Sequence, residues 1–302
     1  MEPGTKTLLV ILGPTASGKT DLAIRIAQWF GTEIISADSR QFFREFSIGT
    51  AKPSQKQLSA VKHHFIGQIS IQENYNISRF EADVLELLEK LFQVHDVVVM
   101  CGGSGLYIDA VCNGLDEQPA HDPELRAQLN KAFKTEGITY LQQELQKLDP
   151  EYYWQVDLAN PHRLIRALEV CKLTGKPFSE FRKGIKKERP FRIVKIGIDL
   201  TKEELHKRIH DRTDEMIRLG LIDEVRANLS NRHLNALNTV GYKEIFDYLD
   251  GNLTLEEAVE KIKINTRHFA KRQMTWFRKD KEIIWINPDG LTEVILRQAL
   301  DR

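Results

Sequence analysis

The chain has 302 residues, of which 41% are hydrophobic and 28% are charged, so it is long enough for one large domain or for a core with an inserted second domain. Its 43 basic and 43 acidic residues cancel, and a nucleic-acid site would therefore have to be a local basic patch. The 3 cysteines are scattered, which excludes a disulfide framework and a paired-cysteine zinc site and predicts reduced, buried thiols. Neither a signal peptide nor an apolar stretch of the roughly 20 residues that span a membrane is found, and we expect a cytoplasmic protein without a membrane partner.

The N-terminal part of the chain is predicted to alternate between strand and helix. Thr7–Leu12 is a short apolar run that ends at Gly13 and Pro14, as expected of a buried strand. Residues 21–30 repeat apolar side chains at helical spacing before Gly31, and residues 33–36 form a second short strand. The order strand, glycine loop, helix, strand predicts a βαβ unit of a parallel sheet.

Three further apolar runs extend this sheet, and one long segment interrupts it. The later strands are predicted at Val97–Met100, Phe191–Leu200 and Ile283–Ile286. Residues 115–190 carry almost no strand signal and are instead predicted to form charged helices. We therefore predict an α/β fold with a parallel-sheet core from residues 1–114 and 191–302, a helical insertion domain over residues 115–190, and a helical C-terminal part over residues 201–248 and 254–278.

A phosphate-binding pattern lies between the first strand and the first helix. Gly13-Pro-Thr-Ala-Ser-Gly-Lys-Thr20 matches G-x-x-x-x-G-K-[ST], in which glycines let several backbone N–H groups point into one concavity at a helix N-terminus. Lys19 neutralises phosphate charge, and the Thr20 hydroxyl can bind Mg²⁺. The pattern predicts a P-loop NTPase-like core that binds a diphosphate group, without indicating which molecule carries it, through Gly13, Thr15, Ala16, Ser17, Gly18, Lys19 and Thr20.

The acid that usually accompanies this loop is missing from its usual place. In nucleoside-triphosphate hydrolases and kinases a second strand ends in a metal-binding Asp, but no acid follows Val97–Met100 before Asp109. Asp38 instead follows the second strand, where sites form in open α/β sheets. It is predicted to take a hydrogen bond or a proton from a nucleophile, the alternative being a helix N-cap. Gln41 has a side chain suited to a bidentate contact with an adenine edge.

Two arginines and a basic, aromatic stretch mark the C-terminal part. Arg208 and Arg212 share one helix face, and we interpret Arg208 as a surface residue and Arg212 as a candidate for the diphosphate site. Near the end of the chain, Phe269 and Trp276 share a helical stripe and are predicted to pack inward. A second, basic stripe consists of Arg267, Lys271 and Arg278. Because runs of charge are usually solvated surfaces, this stripe alone does not decide whether the protein binds RNA.

Seven ordered motifs resemble the tRNA dimethylallyltransferases, also called tRNA isopentenyltransferases. They are G-P-T-A-S-G-K-T at the phosphate loop, S-A-D-S-R-Q (Ser36–Gln41), I-G-T-A-K-P (Ile48–Pro53), G-G-S-G-L-Y (Gly102–Tyr107), H-R-L-I-R-A-L-E (His162–Glu169), V-G-Y-K (Val240–Lys243) and K-R-Q-M-T-W-F-R (Lys271–Arg278). Together they are far more specific than the phosphate loop alone. No Cys/His cluster like the zinc finger of many eukaryotic members occurs before Arg302, so the chain resembles the shorter bacterial form.

The resemblance implies transfer of a dimethylallyl group from dimethylallyl diphosphate to N6 of the adenosine immediately 3′ of the anticodon in tRNA, with Mg²⁺ and with pyrophosphate as the leaving group. It implies that Asp38 is the base toward the adenine amine and that Thr15 lies near the bridging oxygen of the diphosphate. Arg212, Lys19 and Thr20 match the diphosphate and metal site. The implied tRNA contacts are Asp38, Ser39, Arg40, Gln41, Ser104, Arg126, His162, Arg163, Arg166, Val240, Gly241, Tyr242, Lys243, Lys271, Arg272, Gln273, Trp276 and Arg278. We expect a monomer that binds the anticodon stem-loop, in part through the insertion domain.

Three other functions remain open on the residues alone. A P-loop small-molecule kinase would bind and turn over ATP, although the metal-binding Asp is missing. An adenylate isopentenyltransferase would prenylate free AMP, ADP or ATP and has little need for the insertion or the basic stripes. A non-catalytic RNA-binding module would leave Lys19, Thr20 and Asp38 together unexplained.

Overall fold

The computed structural model describes residues 5–117, 119 and 121–287, so the predicted core ranges 1–4 and 288–302 lie outside the described residues. The described residues up to Cys112 and from Arg189 onward form one compact unit, which we call the core unit. Residues Asn113–Glu188 form the other, which we call the helical unit.

The core unit is built on one parallel sheet. Its strands among the described residues are β1 (Thr7–Leu12), β2 (Ile34–Ser36), β3 (His63–His64), β4 (Val97–Gly102), β5 (Arg192–Ile198) and β6 (Ile284–Ile286). The strand order is β3-β2-β4-β1-β5-β6, and every neighbouring pair is parallel. The predicted α/β class with a parallel sheet is therefore confirmed. The pair of histidines in β3 was not predicted as a strand, since a two-residue edge strand has no periodicity to detect.

The helices account for most of the remaining described chain. They are α1 (Lys19–Phe30), α2 (Gln55–Ala60), α3 (Ile77–Leu91), α4 (Gly105–Asn113), α5 (Pro123–Glu136), α6 (Ile138–Leu148), α7 (Pro150–Tyr153), α8 (Pro161–Thr174), α9 (Lys202–Arg218), α10 (Leu221–Ala227), α11 (Tyr242–Leu249) and α12 (Leu255–Phe277). The predicted helical stretch over residues 201–248 is therefore broken into α9, α10 and most of α11, and Gly220 and Gly241, which both have positive φ, directly precede α10 and α11.

Burial on both faces of the sheet explains why β1 is apolar throughout. Leu8, Val10 and Leu12 belong to a hydrophobic cluster on one face, whereas Leu9 and Ile11 belong to a separate cluster on the other. All five side chains are at most 1% exposed. Such two-sided burial replaces the alternating pattern of a half-exposed strand with a continuous hydrophobic run.

The strand order determines which loops meet. β1 pairs with β4 on one side and β5 on the other, so the loop after β1 emerges in the middle of the sheet's carboxyl edge. The loop after β2 is bonded there to the end of β4, because the Ala37 N–H donates to the Cys101 carbonyl over 2.8 Å. A Cβ at Gly102 would lie 2.2 Å from the Ala37 carbonyl oxygen, so only glycine allows this approach.

The helical unit has its own hydrophobic core, which includes Leu141, Leu145, Leu164 and Leu168. Its longer helices begin at polar caps, with Asp122 accepting hydrogen bonds at the start of α5 and Asn160, followed by a proline, at the start of α8. The caps and apolar spacing thus account for the helices predicted in this segment.

Candidate active site

The phosphate loop, residues Gly13–Thr20, has the backbone form expected of an anion site. Gly18 is left-handed, with φ of 88°, and directly precedes α1, whose first residue is Lys19. Ala16 is also left-handed, with φ of 64°, an uncommon state for a residue with a side chain. The Lys19 amino group donates to the Pro14 carbonyl over 3.1 Å, and burial lowers the pKa of Lys19. A partly buried cation and a helix N-terminus therefore meet at one loop.

Two arginines of α9 reach this loop. Arg212 donates to the Thr15 hydroxyl over 3.2 Å, and burial lowers the pKa of Arg212 while Asp38 opposes that effect. Arg208 donates to the Ser17 carbonyl over 3.2 Å. Our interpretation of Arg208 as a surface residue was wrong. The signal that could have revealed it was present, because Arg208 and Arg212 are four residues apart and must face the same way.

Asp38 lies directly after β2 and is held by the turn that follows it. Its Oδ1 atom accepts hydrogen bonds from the backbone N–H groups of Arg40 at 2.9 Å and Gln41 at 3.3 Å. Residues 39–42 form a turn and not a helix, so Asp38 is not the helix N-cap that was the alternative. Next to it, the Ser39 N–H donates to the Ser104 hydroxyl over 2.9 Å. The carboxylate is therefore oriented by its own loop and by the loop after β4.

Two cavities meet beside Asp38. The first, which we call the phosphate-loop cavity, has a volume of about 230 Å³ and is lined by Lys19, Thr20, Asp21 and the segment 50–53. The second, which we call the α9–α12 cavity, has a volume of about 510 Å³ and lies between those helices and residues 238–244. The residues that line both cavities, which we call the junction, are Thr15, Asp38, Thr50, Arg212 and Phe269.

The segment 238–243 borders the α9–α12 cavity, but one of its predicted tRNA-contacting residues does not reach it. Asn238, Val240, Gly241 and Lys243 line the cavity. Tyr242, however, is fully buried, and its ring packs 4.8 Å from that of Phe46. Because a buried ring cannot contact RNA, the prediction that Tyr242 touches tRNA is wrong.

Glu224 is a residue that the sequence did not single out. Its Oε1 accepts a hydrogen bond from the Tyr242 hydroxyl over 2.5 Å, and burial together with this carboxylate raises the pKa of Tyr242. Its two oxygens also accept backbone N–H bonds from Ser47, Ile48 and Gly49. Glu224 belongs to none of the seven motifs. The backbone groups that it binds lie 175 to 177 residues away from it in the chain.

Two glutamines predicted as RNA contacts are engaged within the protein. The Gln41 amide donates to the carbonyls of Thr50 and Ala51, each over 3.1 Å, and accepts from the Ser36 hydroxyl. Gln273 accepts from the Thr15 N–H over 2.8 Å and donates to the Gly103 carbonyl over 2.7 Å. The adenine-edge contact predicted for Gln41 and the RNA contact predicted for Gln273 would therefore have to compete with these internal bonds. Gln273 instead supports the phosphate loop.

The exposed face of α12 also differs from the prediction. Phe269 and Trp276 are 39% and 36% exposed and so do not pack inward. The Trp276 indole donates to Asp109 over 2.8 Å and lies against Gly105, where a Cβ would be 2.4 Å from the ring. Among the other predicted contacts, Lys271, Arg272 and Arg278 are exposed, and Arg278 lies 3.5 Å from Asp199.

In the helical unit, a buried carboxylate binds two of the arginines that were predicted to contact RNA. Glu169 is fully buried, and Arg126 and Arg166 donate to its Oε2 atom over 3.1 and 3.0 Å. His121 bonds the other oxygen. Burial opposes ionisation of Glu169, but the hydrogen bonds from Arg166 and His121 outweigh it and hold the pKa below its usual value. His162 and Arg163, by contrast, are exposed at the start of α8.

Within residues 5–117, 119 and 121–287, no group of three or more His, Cys, Asp or Glu side chains could hold a metal ion on its own. None of the helices in this part of the chain is long and apolar enough to cross a membrane. Oxygen donors do border the phosphate loop, since Thr20, Asp21 and Asp38 line its cavity.

Known proteins resemble the chain along nearly its whole length. The chain is 51% identical over 289 residues to tRNA dimethylallyltransferase 1 of Phocaeicola vulgatus, covering 96% of both chains. It is 55% identical over 282 residues to the tRNA dimethylallyltransferase of Christiangramia forsetii, covering 93% of both. The solved tRNA isopentenylpyrophosphate transferase of Bacillus halodurans matches with a TM-score of 0.71 and 33% identity, covering 98% of this chain and 95% of the other. These structural matches agree with the predicted P-loop NTPase-like fold.

The family model described as IPP transferase matches residues 41–280. That range contains five of the seven motifs on which the resemblance was based, from Ile48–Pro53 to Lys271–Arg278, and begins at Gln41, the last residue of the second motif. The resemblance is thereby confirmed: the chain belongs to the IPP transferase family and is a prenyltransferase of the bacterial type.

Proposed function

We propose that the protein transfers a dimethylallyl group from dimethylallyl diphosphate to N6 of the adenosine 3′ of the anticodon in tRNA. The observation that carries the proposal is the junction, where a cavity at a phosphate loop opens beside a carboxylate into a second, larger cavity. The diphosphate would occupy the first cavity and an extruded adenine the second. An unpaired loop base can leave its stack at low cost, which suits an anticodon loop.

On the donor side, the main requirement is stabilisation of the leaving pyrophosphate. Adenine N6 is a weak nucleophile, so the barrier falls most if charge developing on the diphosphate is met by fixed donors. Lys19 and the N–H groups of the phosphate loop would bind the diphosphate. Arg212 holds the Thr15 hydroxyl at 3.2 Å, which supports a role for both at the bridging oxygen.

On the acceptor side, Asp38 would receive the N6 proton. Its Oδ1 is held by the N–H groups of Arg40 and Gln41, which leaves the carboxylate oriented at the junction. The predicted RNA contacts that still suit this function are the ones with solvent access, among them His162, Arg163, Lys271, Arg272 and Arg278.

Mg²⁺ is the divalent ion we propose for the donor site. It prefers oxygen ligands and is usually held by one or two protein oxygens together with substrate phosphates and water. The Thr20 hydroxyl, with Asp21 and Asp38 on the same cavity, fits this preference. When bound, the ion would neutralise charge on the departing pyrophosphate.

We also propose that the active form is the monomer expected from the sequence. A tRNA acceptor and three cysteines that are buried as free thiols support a cytoplasmic reaction.

The test offers labelled dimethylallyl diphosphate and Mg²⁺ with, in parallel, an anticodon stem-loop, AMP and ATP as acceptors. We expect label to move to the stem-loop alone. Label on AMP or ATP would indicate an adenylate isopentenyltransferase, and consumption of ATP without any transfer would indicate a kinase.

A further inference from the structure

The loop of residues 47–51 is held more firmly than its surface position requires. On one side, Glu224 accepts the N–H groups of Ser47, Ile48 and Gly49 over 2.8 to 2.9 Å. On the other side, the Gln41 amide donates to the carbonyls of Thr50 and Ala51. A side chain at Gly49 would collide with Tyr242, since a Cβ there would lie 2.4 Å from the ring. The motif that contains this loop has so far received no role.

These contacts hold the loop in an unfavourable conformation. Ala51 is left-handed, with φ of 48°, which costs a non-glycine residue roughly 1–2 kcal/mol. Strain of this kind persists only where surrounding bonds determine it, and it often occurs at functional sites. The residue that the loop presents to the junction is Thr50, which lines both cavities.

The Thr50 hydroxyl lacks a hydrogen-bond partner among the described residues. Its oxygen is buried and makes no hydrogen bond within the described part of the chain. At the same junction the Thr15 hydroxyl is bonded to Arg212, and Asp38 to the backbone. A buried unpaired hydroxyl costs about 1–3 kcal/mol. Rotation about one bond, χ1, can turn the hydroxyl toward the cavities that Thr50 lines without breaking any hydrogen bond.

The acceptor amine offers the partner that this hydroxyl lacks. In the transfer, the N6 electron pair forms a bond to C1 of the dimethylallyl group, and the C1–O bond breaks with its electron pair leaving on pyrophosphate. Asp38 takes one of the two N6 protons. The other N–H still needs an acceptor in a cavity from which water is displaced, since an unmatched donor there is costly.

We propose, resting on the function proposed above, that the Thr50 hydroxyl accepts the second N–H of the acceptor amine and so orients N6 toward the donor carbon. Asp38 and Thr50 then hold the amine from two sides. The diphosphate needs no such help, because Lys19, Arg212 and the phosphate loop already surround its site. Glu224 and Gln41 are the positioning residues for this contact.

The test compares Thr50→Val with a matched control, Thr32→Val. Thr32 also has a buried hydroxyl without a partner, but it lines neither cavity. Both changes remove an unpaired hydroxyl and keep the shape, so both variants should melt at or above the wild-type temperature. Only Thr50→Val should lower kcat/KM for the stem-loop, by about 2- to 10-fold for one neutral hydrogen bond. The KM for dimethylallyl diphosphate should not change, and Thr50→Ser should restore activity.

A binding measurement without the donor separates this inference from the proposed function. Stem-loops that carry adenosine or the amine-free purine riboside at the target position are compared. The wild type should prefer adenosine, and Thr50→Val should lose about 2- to 10-fold of that preference. Equal weakening of both stem-loops, an unchanged preference, a wild type without preference, or an effect only on the donor KM would each overturn the inference. Failure of the wild type to transfer label while it prefers adenosine would count against the proposed function instead.

Discussion

The loops after β1 and β2 and the helix α12 border the same two cavities, but their polar groups are held in different ways. In the loops, Lys19 bonds a carbonyl five residues away and Asp38 bonds N–H groups two and three residues away. In α12, Gln273 and Trp276 bond groups 258 and 167 residues away in the chain. A sequence motif can indicate hydrogen bonds between residues close together in the chain, but not hydrogen bonds between residues far apart in it. The strand-end loops could therefore be interpreted from the sequence, whereas in α12 the sequence did not predict the two bonds of Gln273 or the exposure of Phe269 and Trp276.

The largest effect should come from the strand-end loops, with Asp38→Asn. The amide oxygen can still accept the N–H groups of Arg40 and Gln41, so the turn should remain intact. Loss of the base should lower kcat by about 10²- to 10⁴-fold. Stem-loop affinity, measured by titration, serves as the control and should change little. If affinity fell as far as kcat, Asp38 would be a structural residue and the contrast with α12 would disappear.

Gln273→Leu should produce the next largest effect, and it tests α12 directly. The substitution leaves the Thr15 N–H and the Gly103 carbonyl without partners, at a cost of about 1–3 kcal/mol for each buried group. A displaced Thr15 should slow transfer by up to about 100-fold. Thr275→Ala, which removes a hydroxyl bonded only within the helix, is the control. Normal transfer and melting with reduced stem-loop binding would instead support the RNA contact predicted for Gln273.

Arg166→Ala extends the comparison to α8 in the helical unit. Removing one donor to the buried Glu169 should cost about 1–3 kcal/mol of unfolding free energy at neutral pH. Because the folded-state pKa of Glu169 is lowered, its ionisation stabilises the fold above the usual pKa of 4.5 and this contribution is lost as pH falls through the folded-state value. The variant should therefore begin acid unfolding at a higher pH than the wild type, as followed by circular dichroism. The exposed Arg163→Ala should leave the acid transition where it is.

The smallest effects should come from Lys271→Ala and Arg278→Ala at the exposed end of α12. Each removes a cation that can contact phosphate, so stem-loop affinity should fall a few-fold and the salt slope of log K by about one per residue. Lys261→Ala, on the same helix and also exposed, provides the reference. A salt slope equal to that of the reference would remove the RNA role proposed for these two cations.

The parts of the fold that were predictable were those with a local physical signal. β1 was predicted with its observed bounds because it is buried on both faces, and α8 because a proline follows its Asn160 cap. The position of Asp38 followed from the end of β2. By contrast, Tyr242 and Gln41 look like available polar side chains in the sequence, and only the tertiary structure supplies the partners that occupy them. The sequence could not identify Glu224 and Thr50 as site residues either. Glu224 binds backbone groups far away in the chain, and Thr50 is recognised only by its unbonded hydroxyl among the described residues.

The bridge made by Gln273 has a consequence for how the protein is synthesised. The phosphate loop leaves the ribosome 258 residues before the side chain that accepts the Thr15 N–H. A growing chain can form the central strands of the sheet before α12 exists, but its phosphate loop stays without that bond until a further 258 residues have been translated. The loop should therefore acquire its final geometry only after the central strands have formed, and truncation before Gln273 should leave a chain that binds diphosphates weakly even where the sheet has formed.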